Sequence, residues 1–332
     1  MLNVTGKWAL ITGASRGIGY LTALFMAEKG CNLILHGRKP ENCKKVYDEV
    51  TAKGVEAKIV ACELSDLDAV KEMLAEVDSF GVDVDIVLNN AGLQIAYRNE
   101  YFETPVSDYT ESFKINTIAP AIICYHFMPK MIAKGFGRIL NTTSGIRLEP
   151  EQAGYSASKA ALDKITIDLG HTVQGTDVMI NLTDPGWCRT DLGGPNAPNA
   201  PESAIPGIVV GVFVACNASG VDNSTVSSVD LNRYLGSWYE VAKYDHYFER
   251  GLEYAKANSS LRDDGKIDVL NTGIKDGEPK EAKGIAKTTN TPGLLRVSFF
   301  GPFFGDYRIM MVDENYQYAL VGGSTDKYLW IL

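Results

Sequence analysis

Two periodicities divide this chain. Up to about residue 216, short apolar runs alternate with longer stretches whose apolar positions recur at helical spacing. Lys7–Thr12, Asn32–His36, Ala57–Ala61, Asp85–Asn89, Gly137–Thr142 and Val178–Thr183 predict strands. They are apolar almost throughout, as strands are when helices cover both faces of a sheet. Gly19–Lys29, Leu67–Asp78, Asp108–Lys134 and Tyr155–Gly170 predict the helices between them. Such alternation predicts an α/β, doubly wound parallel sheet.

After residue 230 the texture changes. Turn signals at Asp263-Asp264-Gly265, Asp276-Gly277 and Gly301-Pro302 separate short segments rich in Tyr, Phe, Val and Ile. Ser237–Tyr244, Leu294–Phe300, Tyr307–Val312 and Tyr318–Val321 predict strands of an all-β sandwich or barrel. The polar stretch 217–228, NASGVDNSTVSS, predicts a linker. The expected organisation is therefore a domain at 1–216, a linker at 217–228 and a second domain at 229–332.

Composition narrows the partners. The formal charge is −9, and neither part carries a basic surplus, which argues against nucleic acid. The six cysteines are scattered without metal-ligand or redox spacing. No metal is expected; Cys31, Cys62 and Cys124 read as small core residues of a cytoplasmic protein. No apolar run is long enough to span a membrane, and the first residues lack the pattern of a secretion signal.

The chemistry begins at the first turn. Strand Lys7–Thr12 runs into Gly13-Ala14-Ser15-Arg16-Gly17-Ile18-Gly19 and then into a helix. Glycines there allow a tight turn and close approach of a pyrophosphate, and the helix start offers it free N–H groups. The second strand ends in His36-Gly37-Arg38-Lys39. A site for NADH places an acid at this point to bind a ribose hydroxyl. Here stand Arg38 and Lys39, with Arg16 in the glycine turn, and guanidinium groups favour a 2′-phosphate. NADPH is expected in preference to NADH.

Tyr155 and Lys159 are four apart on a predicted helix and share its face. A neighbouring ammonium favours the phenolate and so makes the phenol a competent acid/base towards a carbonyl. Ser144 follows strand Gly137–Thr142, where its hydroxyl can bind the substrate oxygen. With 16 tyrosines in the chain, a tyrosine–lysine pair at this spacing is expected about once by chance, so its weight comes from its company.

That company is TGASRGIG at 12–19, NNAG at 89–92, KINT around Asn116, Ser144, YSASK at 155–159 and PGWCRTD at 185–191, in this order. Residues 5–216 thereby resemble the classical short-chain dehydrogenase/reductase family, with its Rossmann-type sheet. The resemblance implies that Asn90, Ala91 and Gly92 line the cofactor and that Asn116 supports a proton relay with Lys159. Lys159 would also bind the nicotinamide ribose, Pro185, Gly186 and Thr190 would border the nicotinamide, and Glu63 and Leu64 would lie near the adenine. Two departures stand out. Ser144 precedes Tyr155 by fewer residues than the family's serine does, and the family's last edge strand is missing after Ala218-Ser219-Gly220.

Asn232–Arg250 carries Gly236-x-Trp238-Tyr239-Glu240. With FERGLE at 248–253, LRDDG at 261–265, VSFFGPFFGDY at 297–307 and TDKYLWIL at the end, residues 229–332 resemble the lipocalin family of bacterial outer-membrane lipoproteins. The resemblance implies a barrel plugged by Trp238, with a cavity for an acyl chain. Phe299, Phe300, Phe303 and Phe304 would serve barrel packing or ligand contact. The barrel is expected to be incomplete, with an exposed edge near Leu332. Ile208–Cys216 reads in two ways: as the last dehydrogenase helix, or as the end of a lipoprotein signal with Cys216 as the lipidated residue. The expected activity is oxidation and reduction between an alcohol and a small carbonyl, in a homo-oligomer formed through the dehydrogenase part. The alternative is a carrier of fatty acid or lipid, with the two parts joined by accident.

Overall fold

The computed structural model describes residues 2–146, 148–213, 224–243, 252–275, 277–323 and 329–332. Cys216, residues 217–223, Phe248–Gly251 and Thr325–Tyr328 lie outside these. The chain divides into two compact units, Met1–Ala218 and Ser219–Leu332.

The first unit holds strands β1 (Trp8–Ile11), β2 (Asn32–Gly37), β3 (Ala57–Ala61), β4 (Val84–Asn89), β5 (Gly137–Thr142) and β6 (Val178–Thr183). They form one parallel sheet in the order β3-β2-β1-β4-β5-β6. Helices α1 (Gly17–Glu28), α2 (Lys44–Thr51) and α7 (Ile205–Phe213) pack on one face through Ala23, Met26, Val46, Val50 and Val212. Helices α3 (Leu67–Ser79), α5 (Ala119–Lys134) and α6 (Ala153–Thr172) cover the other through Val70, Leu74, Ile123, Phe127 and Leu169. Both faces are thus covered, which is why the strands carry apolar residues at successive positions. The chain order reverses between β1 and β4, and the crevice beyond the strand ends at that point is where ligands of such sheets bind.

The run expected as one helix, Asp108–Lys134, is α4 (Val106–Phe113), a π-helical turn at Lys114–Ile118, and α5. The wide turn contains Asn116, and such turns recur at functional sites. Helix α2 escaped the sequence analysis because only Val46 and Val50 mark its buried side. Among the described residues β6 is the last strand of its sheet.

The second unit begins with the short helix α8 (Leu231–Tyr234), capped by the Asp230 carboxylate. Its strands are β7 (Gly236–Tyr239), β8 (Ala242–Lys243), β9 (Leu252–Leu261), β10 (Ile267–Lys275), β11 (Glu278–Thr288), β12 (Leu294–Phe300), β13 (Phe303–Val312), β14 (Ala319–Gly322) and β15 (Leu329–Ile331). They pair in the order β7-β9-β10-β11-β12-β13-β14-β15-β8, a curled antiparallel barrel. Segment 236–243 pairs with β9 through β7 and with β15 through β8. It changes partner where Glu240 N–H donates to Ala255 and Val241 N–H to Ile331. The exposed edge expected near Leu332 is therefore occupied: β15 has a neighbour on each side.

Trp238 is 8% exposed, and its indole N–H donates to the Tyr234 carbonyl at 2.6 Å. Ile309, Ala319 and Val321 pack around it, as a plug requires. Phe300 and Phe303 are 84% and 79% exposed beside the Gly301-Pro302 turn, so they pack no core. Val226, assigned by sequence to the linker, donates its N–H to Ile309 and packs against this core; an apolar residue within a polar stretch was enough to anchor it.

Candidate active site

The cleft of the first unit measures about 860 Å³. Its floor is the β1–α1 turn. Gly13 and Gly17 have φ of +66° and +57°, values that favour glycine. Gly13 also approaches Ala91 so closely that a Cβ would lie 3.0 Å from its Cα. Arg16 caps α1 without a side-chain bond, so the N–H groups of the first turn face the cleft, a ready site for an anion. Asn90 ties this turn to β4: its side-chain nitrogen donates to the Thr12 carbonyl at 3.0 Å, and the Thr12 hydroxyl accepts the N–H groups of Asn90 and Ala91.

His36 is a supporting residue that sequence analysis passed over as strand. Gly13 N–H donates to its Nδ1 at 3.3 Å, and its Nε2 faces the Cys62 carbonyl at 3.2 Å. Burial pushes it down to about 4, so it is a neutral bridge with its proton on Nε2. The histidine braces the glycine turn from below, one reason β2 carries a polar residue near its end.

Most of the sequence-derived cofactor residues line this one cleft: Gly13, Ser15, Arg16, Gly17, Ile18, Arg38, Glu63, Leu64, Asn90–Gly92, Pro185, Gly186 and Thr190. Two of the expected residues lie outside the lining. Gly19 lies behind the turn, where a Cβ would fall 2.5 Å from the Asn90 amide nitrogen; it serves helix packing. Lys39 is exposed at the start of a 3-10 turn, outside the cleft lining. Arg16 is paired with Asp191 at 3.0 Å, so part of its charge is already answered. Arg38 has no ion-pair partner among the described residues.

At the other end stand Ser144, Tyr155 and Lys159. Ser144 and Tyr155 line the same end of the cleft, and Ser144 Oγ accepts the Ile146 N–H at 3.3 Å. The shortened loop still delivers the serine to the tyrosine. Lys159 is 4% exposed, and its ammonium donates to the Thr142 carbonyl at 2.7 Å. Burial pushes it down to about 8, against the pull of Asp163 and Asp184. Tyr155 is pushed up by burial, eased by Ser144 and worsened by Asp184. This reverses the expectation that Lys159 would lower it: the ammonium is turned towards Thr142.

Asn116 is fully buried and outside the cleft lining. It grips the Leu93 backbone, accepting its N–H and donating to its carbonyl, both at 2.8 Å, and donates to Ser158. A Cβ on Gly92 would stand 3.5 Å from Asn116 Oδ1 and 3.6 Å from Lys159 Nζ, so Gly92 leaves these two groups facing a common space. Trp187, also unforeseen, holds the following loop by donating to the Gly193 carbonyl at 2.7 Å.

Residues 7–200 match the short chain dehydrogenase family, and residues 229–332 match the lipocalin-like domain. The chain is a short-chain dehydrogenase/reductase that carries a lipocalin-like domain. It is similar to an NADP-bound metagenomic short-chain oxidoreductase, with 28% identity and a TM-score of 0.56 over 64% of this chain and 94% of that one. It is also similar to NAD⁺-bound xylitol dehydrogenase, with 31% identity and a TM-score of 0.52 over 56% and 72%. The chain is also 54% identical to the outer membrane lipoprotein Blc of Vibrio cholerae over 32% of this chain and 66% of that protein. Against Blc of Escherichia coli K12 the figures are 48%, 36% and 72%. A nicotinamide dinucleotide suits the cleft, with glycines where backbone must approach it and a helix start for its phosphates. No helix among the described residues is long and apolar enough to cross a membrane.

Proposed function

We propose that the first unit is an NADPH-dependent oxidoreductase that interconverts a small carbonyl and an alcohol, with Tyr155 as acid/base. The observation that carries this is that Ser144, Tyr155 and Lys159 stand in the same cleft as a glycine turn and a helix start. The first α1 turn and Gly13, Ser15, Gly17 and Ile18 would hold the pyrophosphate, Arg38 the 2′-phosphate, and Asn90–Gly92, Pro185, Gly186 and Thr190 the nicotinamide half. When bound, the cofactor supplies or accepts the hydride. Ser144 then donates to the substrate oxygen and orients it, and Tyr155 gives that oxygen its proton on reduction or takes it back on oxidation. Lys159 places a positive charge behind the pair, and Asn116 keeps the Leu93 backbone clear of it. Because Tyr155 is held protonated at neutral pH, reduction suits neutral solution, and alcohol oxidation gains as pH rises.

NADPH fluorescence on the full chain tests the site, with NADH as comparison. Tyr155→Phe is expected to lower kcat by ~10²–10⁴-fold and to leave the NADPH dissociation constant within twofold. Turnover retained in the variant removes Tyr155 from the mechanism.

A second reading, for the barrel, is favoured by one observation. Asn271 Oδ1 is buried without a hydrogen-bond partner on the face shared with Ala257 and Ala282. Small side chains beside a lone acceptor suit an apolar ligand with one donor. Displacement of a fluorescent fatty acid from the full chain, abolished by Asn271→Leu, supports a lipid carrier; no saturable binding at micromolar lipid ends that reading.

A further inference from the structure

Asp184 closes β6 immediately before Pro185-Gly186 and is exposed in the cleft. Its Oδ2 accepts the Gly145 N–H at 2.7 Å and its Oδ1 accepts the Gly186 N–H at 2.9 Å. One carboxylate thus spans the loop that follows Ser144 and the turn that borders the nicotinamide. Its position depends on glycine: a Cβ on residue 145 would lie 2.8 Å from Oδ2. No cation pairs with Asp184 among the described residues, since Lys159 spends its short bond on Thr142. Its field nevertheless reaches Tyr155, Lys159 and Asp163, all of which respond to it. A fixed anion with no ion-pair partner among the described residues therefore stands at the reacting end of the cleft.

We propose that Asp184 sets the oxidation-state preference of the cofactor site, binding the oxidised nicotinamide more tightly than the reduced one. The proposal rests on the reading that Pro185 and Gly186 border the nicotinamide ring. Oxidised nicotinamide carries a positive ring charge, and the reduced ring, having accepted a hydride, is neutral. An anion fixed beside the ring attracts only the first form. A ligand shifts an equilibrium by its differential affinity for the two states, so the same attraction draws the bound pair towards the oxidised cofactor, that is, towards carbonyl reduction. An attraction between opposite charges in a partly solvated cleft is worth about tenfold in affinity.

The test needs no substrate. Dissociation constants of NADP⁺ and NADPH are measured at pH 8 by calorimetry on the full chain. Wild type is compared with Asp184→Asn, Asp184→Ser and Asp184→Glu, each checked for folding by circular dichroism. The expected result is that the ratio Kd(NADP⁺)/Kd(NADPH) rises about tenfold in the neutral variants that fold, with the glutamate variant nearer wild type. A ratio within twofold of wild type overturns the proposal, as does equal weakening of both forms, which is the mark of a residue that only splints two loops. If wild type binds neither form, the dinucleotide site itself has failed, and the proposal falls with it.

Discussion

Lys159→Met should stabilise the first unit at neutral pH while destroying its activity. The lysine is 4% exposed, and burial holds its ammonium at about 8, against an ordinary value of 10.5. Between those pH values the folded protein carries fewer protons on this residue than the unfolded chain does. Wild-type stability therefore rises as pH climbs through that window, and the full penalty applies below pH 8. The difference corresponds to about 3 kcal/mol. Methionine removes the charge at similar volume. It forfeits the bond to Thr142 and leaves Asp163 without its nearest cation, together roughly 1 kcal/mol. A net gain of about 2 kcal/mol at pH 7 shifts the melting temperature of a unit this size by ~4–8 °C. Scanning calorimetry of the full chain at pH 7 and pH 10 reads it. The gain should be large at pH 7 and nearly gone at pH 10. An unchanged or lower Tm at pH 7, or the same gain at both pH values, refutes the argument that burial sets the state of Lys159.

Other residues give independent outcomes. Arg38→Ala should weaken NADPH by ~10-fold or more and NADH little, since a lost charge-assisted bond to phosphate is worth about 1.5–3 kcal/mol; equal affinities in wild type sink the argument from the cations. Gly19→Ala should cost cofactor affinity and several degrees of Tm, because its Cβ has no room beside the Asn90 amide; normal titration of the variant would place the glycine turn elsewhere. Trp238→Ala should destabilise the barrel by about 3–5 kcal/mol, read as loss of the second unit's calorimetric transition with the first unit's retained.

The parallel sheet was legible because strands buried on both faces announce themselves as apolar runs; all six lie within a residue or so of their predicted ends. The barrel was only half legible. Strands β9, β10 and β11 went unrecognised because their inward positions are small, as at Ala257, Gly273, Ala282 and Gly284, while neighbours such as Lys256 and Lys283 are charged. Small against polar gives no hydrophobic alternation. At the site, Tyr155, Lys159 and the glycine turn were recognisable from spacing. Asp184 and His36 were not, since an acid before Pro-Gly reads as a turn residue and a histidine ending a strand as an irregularity. The direction of the Tyr155 perturbation depends on where the Lys159 ammonium points, which sequence spacing does not encode.

The strand shared between β9 and β15 has a kinetic consequence. Ala242 pairs with Ile331, about ninety residues later, and closing so long a loop is entropically costly and slow. Among the described strands the other neighbouring pairs join segments close in sequence and can form as each emerges from the ribosome; the seam joins β8 to β15 and so waits for that strand. Until then β8 and β14 present unpaired edges. The vulnerable period of this barrel is thus the interval before its last strand arrives, when neighbouring nascent chains can pair edge to edge.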